Sequence, residues 1–327
     1  MIQTTKTREV FTLDCQGNRL CCTYHIPPQG SLRSNQPGIL LLSGFPMPRA
    51  AHGDAAVYWA TSYAELGYPS FRVDLPGVGD SIGNVPKELL AYTTAGGYER
   101  VAAEIADQIV ARFELSGIVI LGQCGGGISA IFAAAVSDKC LGLILLDPPF
   151  NLPPVARPSV KRALFHWSTK SRIGGLLSNG YDQFKELSLK LRKNAPPKNA
   201  NFALLKRWKY VTSAGMPILL LNVPEPKATD KQARAGKFDY RKYILDVAGS
   251  RNRVDARLVV GANHTFSNPL GKAAIRENVA EWMQKVFPKE RPAIQTVTEK
   301  RRLADETETS HQGEMLPPMD VALEIKS

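Results

Sequence analysis

Hydrophobic and polar positions along this chain switch repeatedly between two periods. Residues 8–13 and 19–25 alternate as strands do, and Gln16-Gly17-Asn18 between them predicts a leading hairpin. Gly38-Ile-Leu-Leu-Leu42 is an unbroken apolar run, as expected of a strand buried on both faces. A helix is expected over residues 55–66, stopped by Gly67, and a short strand over Ser70–Asp74. Val101, Ile105, Ile109 and Phe113 recur at helical spacing within residues 98–114. Strand Gly117–Leu121, helix Ile128–Val136 and strand Leu141–Leu146 follow. After an interruption come strands at Pro217–Leu221 and Asp255–Val260. A last helix is expected over Lys272–Phe287, with Ile275, Val279, Trp282 and Val286 at core spacing.

Strands that alternate with helices predict an α/β architecture, a mostly parallel sheet with helices on both faces. The interruption, residues 148–214, is proline-punctuated and helical in pieces, with Phe184, Leu187 and Leu191 on one face. It reads as a helical cap inserted between two late strands. The expected domains are a core of residues 1–147 and 215–287, a cap of 148–214 and a flexible polar tail of 288–327.

Charge sharpens the view of the cap. The chain carries 41 Lys and Arg against 30 Asp and Glu, and residues 148–214 hold 13 of the former and 2 of the latter. The whole excess therefore lies in the cap. Such a segment suits an acidic substrate, a carrier protein or an anionic surface, and is also compatible with a solvated face that is merely basic. No nucleic-acid-binding motif accompanies it. No apolar run reaches the length of a spanning helix, and the first residues lack the apolar core of a signal peptide. Five sparse cysteines, two of them adjacent (Cys21 and Cys22), argue against a disulfide framework and for a reducing, cytoplasmic setting. No His/Cys/Asp cluster has metal-ligand spacing, and no cofactor is expected.

One stretch carries chemistry. In Ile118-Val-Ile-Leu-Gly-Gln-Cys-Gly-Gly126 an apolar strand runs into Gly122-Gln123-Cys124-Gly125-Gly126. A nucleophile at the apex of a sharp strand-to-helix turn needs small residues two positions to either side, where backbones come too close for side chains. The helix N-terminus that follows favours a thiolate and an oxyanion. Cys124 as a small buried hydrophobe is the competing reading, and it leaves the glycine spacing unexplained.

A nucleophile needs a base. His264, in Gly261-Ala-Asn-His-Thr-Phe-Ser267, lies between the last strand and the last helix and is the best placed of the five histidines. His52 follows an apolar strand but has no motif around it. His25 ends an early strand, and His166 and His311 lie in the cap and tail. The acid that orients the base should follow strand 217–221, which makes Glu225 the first candidate, Asp230 the second and Asp147, ending the preceding strand, the third. An oxyanion would take one N–H from Gly125 and one from the loop Ser43-Gly-Phe-Pro46, where Phe45 is the donor because Pro46 has none.

These pieces together resemble the α/β-hydrolase superfamily. They are Ser43-Gly-Phe-Pro46, Asp74-Leu-Pro-Gly-Val-Gly-Asp-Ser81, Gly122-Gln-Cys-Gly-Gly126 and Gly261-Ala-Asn-His-Thr-Phe266, spread over residues 8–287. The order nucleophile, acid, histidine is that superfamily's. More narrowly, residues 67–83 and the segment Asn263-His-Thr-Phe-Ser-Asn-Pro269 are similar to hydrolases found beside bacterial exosortase systems, which also carry cysteine at the elbow. Ser43 stands where that pattern has His, and Glu225 where it has Asp. The resemblance implies the α/β-hydrolase fold and a Cys124–His264–Glu225 triad acting on an ester or thioester through an acyl-enzyme. The acyl donor would be a small molecule, free or carried on CoA or a carrier protein. The alternatives are an acyltransferase that passes the same acyl group to an amine, alcohol or thiol, and a hydrolase-fold protein that only binds.

Overall fold

The apolar runs become strands whose side chains divide strictly between the two faces of one sheet. The computed structural model describes residues 7–31, 36–152, 199–224, 239–249 and 253–288. Its strands are β1 (Arg8–Cys15), β2 (Asn18–His25), β3 (Gly38–Leu42), β4 (Ser70–Val73), β5 (Ile118–Gln123), β6 (Cys140–Leu146), β7 (Ile218–Asn222) and β8 (Val254–Leu258). They form one eight-stranded sheet in the order β1-β2-β4-β3-β5-β6-β7-β8. β1 and β2 are antiparallel to each other, β2 is antiparallel to β4, and the remaining pairs are parallel. Leu40, Leu42, Ile118, Ile120, Leu143, Leu145, Ile218 and Leu220 face one hydrophobic core. Their neighbours Ile39, Leu41, Val119, Leu121, Ile144, Leu146, Leu219 and Leu221 face the other. Alternation of period two within an all-apolar run is what a strand covered on both faces requires.

The helices are α1 (Ala55–Glu65), α2 (Leu89–Thr94), α3 (Glu99–Arg112), α4 (Gly125–Ala134), α5 (Phe202–Ser213), α6 (Tyr240–Ala248) and α7 (Pro269–Val286). α1 and α7 cover one face through Trp59, Tyr63, Ile275, Val279, Trp282 and Met283. α3, α4, α5 and α6 supply the core of the other. α4 starts three residues before the run that predicts it. The glycines at 125–127 are poor helix formers, yet the turn at Cys124 sends them directly into the helix. α2 and α6 were not expected. Both are short, and α6 is set by the Asp239 side chain accepting from the Lys242 N–H.

Within the expected cap, residues 202–213 form α5, which packs into the core. Leu204, Leu205, Trp208 and Val211 lie on one face of it and are buried, and the Trp208 indole donates to Ile244 O at 2.8 Å. Asn201 caps α5 by accepting from Leu204 N–H at 3.0 Å and also donates to Thr94 O at 2.7 Å, which ties it to α2. Leu152 and Asn199, the described residues on either side of 153–198, meet, Leu152 N–H donating to Asn199 O at 2.6 Å. The rest of the expected cap lies outside the described residues. The contacts divide the chain into two units, Met1–Phe287 and Pro288–Ser327, and the expected tail beyond Pro288 also lies outside the described residues. Among the described residues no helix is long and apolar enough to cross a membrane.

Candidate active site

The carboxyl ends of the central parallel strands carry the candidate residues. β5 ends at Gln123, and Cys124 follows with φ 48 and ψ −115, a conformation strained for any residue with a Cβ. The surrounding glycines are required by space. A Cβ on Gly122 would lie 2.5 Å from Gly126 O and 2.6 Å from Gly127 Cα, and one on Gly126 would collide with Leu42 O. Gly44 brings the oxyanion loop against the elbow, where a Cβ would meet Cys124 Cβ and Gln123 O, each at 3.3 Å. The amides of Phe45 and Gly125 have no acceptor among the described residues, and they flank the partly buried Cys124. The Phe45 ring is fixed by stacking on Tyr98, with centroids 4.6 Å apart and planes 6° from parallel.

His264 sits on a turn that bonds mainly to itself. Asn263 Oδ1 accepts from Ser267 N–H at 2.9 Å, and Asn263 Nδ2 donates to Ser267 Oγ at 3.1 Å. Asn268 donates to Gly261 O at 2.9 Å, and Phe266 is wholly buried beneath. The imidazole faces the Cys124 side chain. Its Nδ1 lies 2.5 Å from Asp147 Oδ2. The carboxylate beside His264 among the described residues is that of Asp147, the last of the three considered. Glu225 and Asp230 lie outside the described residues. Asp147 follows β6 with φ 48, its N–H donates to Leu221 O at 2.8 Å, and its other oxygen accepts from Asn222 Nδ2 at 2.9 Å. The hydrogen bond to Asp147, then the Cys124 side chain, pushes the His264 pKa up to about 10 against the opposing effect of burial.

Two participants were not foreseen. Asn222 stands at the end of β7 and orients Asp147, and an Asn ending a strand carries no signal by itself. Gln123 was read only as the variable position of the elbow. It is buried, and its Nε2 donates to Thr265 O.

Cys15, Cys22 and Cys140 are buried, and burial pushes the thiols of Cys15 and Cys140 up to about 12 and that of Cys22 higher still. Cys21, like Cys124, is partly buried. The segment Asp74–Ser81 proves structural. The Asp74 carboxylate is sealed from solvent and accepts from Arg49 N–H at 2.5 Å, from the Arg49 guanidinium and from Asp80 N–H at 3.1 Å. It thereby fixes Arg49, four residues after Phe45. Among the described residues no group of three or more His, Cys, Asp or Glu could hold a metal ion.

Solved structures share this architecture at low identity. An esterase of Pyrococcus furiosus is 13% identical with a TM-score of 0.54, covering 85% of this chain and 90% of its own. The thioesterase domain from the curacin biosynthetic pathway is 15% identical with a TM-score of 0.51, covering 84% and 100%. A serine hydrolase of Xanthomonas campestris, described as lacking a lid, is 14% identical with a TM-score of 0.51, covering 88% and 98%. At such identities the likeness speaks for the fold alone. No curated protein matches the sequence. Residues 39–293, most of the chain and all of the site just described, match the alpha/beta hydrolase family, and the protein belongs to it.

Proposed function

We propose that this protein cleaves an ester or thioester through a covalent acyl-enzyme on Cys124, with His264 as base and Asp147 as the acid that orients it. The observation that carries the reading is the strained Cys124 at the elbow, facing a His264 whose Nδ1 is held by Asp147. With Nδ1 committed, Nε2 is left for the thiol. His264 Nε2 holds the Cys124 proton, so the sulfur attacks the acyl carbon as a thiolate beside the imidazolium. The carbonyl oxygen gains charge opposite the Phe45 and Gly125 amides. As the C–O or C–S bond to the leaving group breaks, His264 returns the proton to that group. Water then attacks the thioester, gives a proton to His264, and releases the acid as Cys124 recovers its own.

The excess of Lys and Arg within residues 148–214 favours an acidic donor such as an acyl group on CoA or a carrier protein. If so, kcat/KM on an acyl-CoA falls with rising salt while that on a neutral ester does not.

The test is the intact mass of the purified protein after incubation with acyl thioesters and activated esters. A wild-type adduct that is absent from Cys124→Ala supports the reading, and the best donor names the acyl class. Free acid as product indicates hydrolysis, and transfer to an added amine or alcohol indicates an acyltransferase. No adduct and no turnover, with Cys124 alkylated no faster than an ordinary thiol, leaves a protein that only binds.

A further inference from the structure

We propose that Gln123, the residue before the nucleophile, is a positioning residue that fixes the base. The inference rests on Cys124 and His264 being nucleophile and base, and goes on to say what holds them in register. Gln123 is only 3% exposed. A buried carboxamide donor must find an acceptor, and this one finds Thr265 O, the main-chain carbonyl next to His264 and 142 residues away in sequence. The histidine turn otherwise bonds to itself, through Asn263–Ser267 and Asn268–Gly261. Apart from the contacts of the His264 side chain with Cys124 and Asp147, the Gln123–Thr265 bond is what ties that turn to the elbow among the described residues.

The geometry gives the tie its meaning. Gln123 is the last residue of β5, buried at the floor of the site, while Cys124 projects from the next position in a strained conformation. One strand end thus sets both the sulfur and, through the carboxamide, the turn that carries the imidazole. A movement of about 1 Å between such groups costs on the order of a hundredfold in rate. Thr265 is partly exposed, so water can replace the lost donor and removal of the carboxamide need not unfold the chain.

The test uses the full chain with p-nitrophenyl acetate as substrate and iodoacetamide as thiol probe. Gln123→Met keeps length and removes the donor, and Gln123→Asn keeps the donor but falls one methylene short. With wild type as reference, kcat, KM and the Cys124 alkylation rate are measured from pH 5 to 9, with far-UV circular dichroism for folding. The groups facing His264 are Asp147 and Cys124. Both variants are expected to lower kcat by about 10- to 100-fold with KM within threefold. Cys124 alkylation at pH 5–6 should drop by about tenfold, because a displaced imidazolium no longer supports a thiolate. Folded variants that keep the wild-type pH profile and a kcat within twofold overturn the proposal. So does a Gln123→Asn variant that stays wild-type in both readouts when Gln123→Met fails to fold. Wild-type protein that neither turns over the ester nor alkylates faster than an ordinary thiol overturns the nucleophile reading and this inference with it, an outcome distinct from active but unaffected variants.

Discussion

Two histidines in this protein meet ionised partners, and their environments drive them in opposite directions. His25 is buried on β2, where its Nε2 accepts from Arg72 Nε at 2.8 Å and its Nδ1 meets Thr61 Oγ1 at 3.1 Å. Burial first, then the charges of Arg72 and Arg8, push its pKa down to about 3, so it is a neutral acceptor at any ordinary pH. His264 is half exposed, faces a carboxylate and a thiol, and is pushed up to about 10. The first belongs to a sealed lattice in which Arg72 also donates to Arg49 O at 3.0 Å and Arg49 closes on Asp74. The second has one ring nitrogen committed and one facing a strained, partly buried cysteine. Charge that is fully satisfied and buried builds structure. Charge left one partner short at a surface cleft is available for chemistry.

The sharpest way to break that comparison is to remove groups from the open site. Cys124→Ala should abolish acyl-adduct formation and lower ester turnover by about 10⁴-fold or more with the fold intact. His264→Ala should do nearly the same, since nucleophile and base act as a unit. Turnover surviving in Cys124→Ala would move the chemistry elsewhere. Asp147→Asn should cost about 10³-fold in kcat with little change in melting temperature, because it removes the carboxylate that orients His264 while keeping the volume. Full activity in that variant would return the role of acid to Glu225.

The mirror experiment lies in the sealed lattice. Asp74→Asn leaves the partly buried guanidinium of Arg49 with Asp80 as its charged partner among the described residues. It should cost about 3 kcal/mol of stability, read by chemical denaturation. Turnover per folded molecule should stay within about tenfold of wild type. A large loss of turnover with unchanged stability would place Asp74 in the site rather than beneath it.

The contrast also explains what was legible beforehand. The sheet was, because buried parallel strands such as Leu40–Leu42 and Ile218–Leu221 are apolar at every position. The elbow was, because backbone crowding at Gly122 and Gly126 admits no side chain and so leaves its mark on the sequence. The carboxylate beside His264 was not. Its place depends on which strand end lies beside the elbow, and Asp147 becomes a neighbour of His264 only when β6 pairs with β5. Without that pairing, Asp147 reads as a strand-ending residue before two prolines. Asn222 and Gln123 were hidden for the same reason, since a carboxamide acts through a partner 75 or 142 residues away. α5 carries lysines and arginines that follow a basic stretch, while Leu204, Trp208 and Val211 have a core spacing.

The smallest expected effect is on stability, and its sign separates the two histidines once more. A group whose pKa is raised on folding contributes stability that is fully present below its unfolded value. That contribution is lost as pH rises through the folded value. For His264 the window runs from the ordinary imidazole value of 6.5 to about 10. Wild type should therefore lose stability across that range relative to His264→Gln, and the loss should be modest because the ring is half exposed and its charges are screened. For His25 the sign is reversed. Its folded pKa is depressed to about 3, so neutral His25 contributes stability above 6.5 that falls away as the pH drops toward 3. Melting temperatures of wild type, His264→Gln and His25→Gln from pH 4 to 10 read both effects at once. The wild-type curve should converge with that of His264→Gln on the alkaline side, and its acid-side decline should be shallower in His25→Gln. Parallel curves for wild type and His264→Gln between pH 7 and 10 would mean that His264 holds no imidazolium in the folded protein, and the ion-paired picture of the site would fall with it.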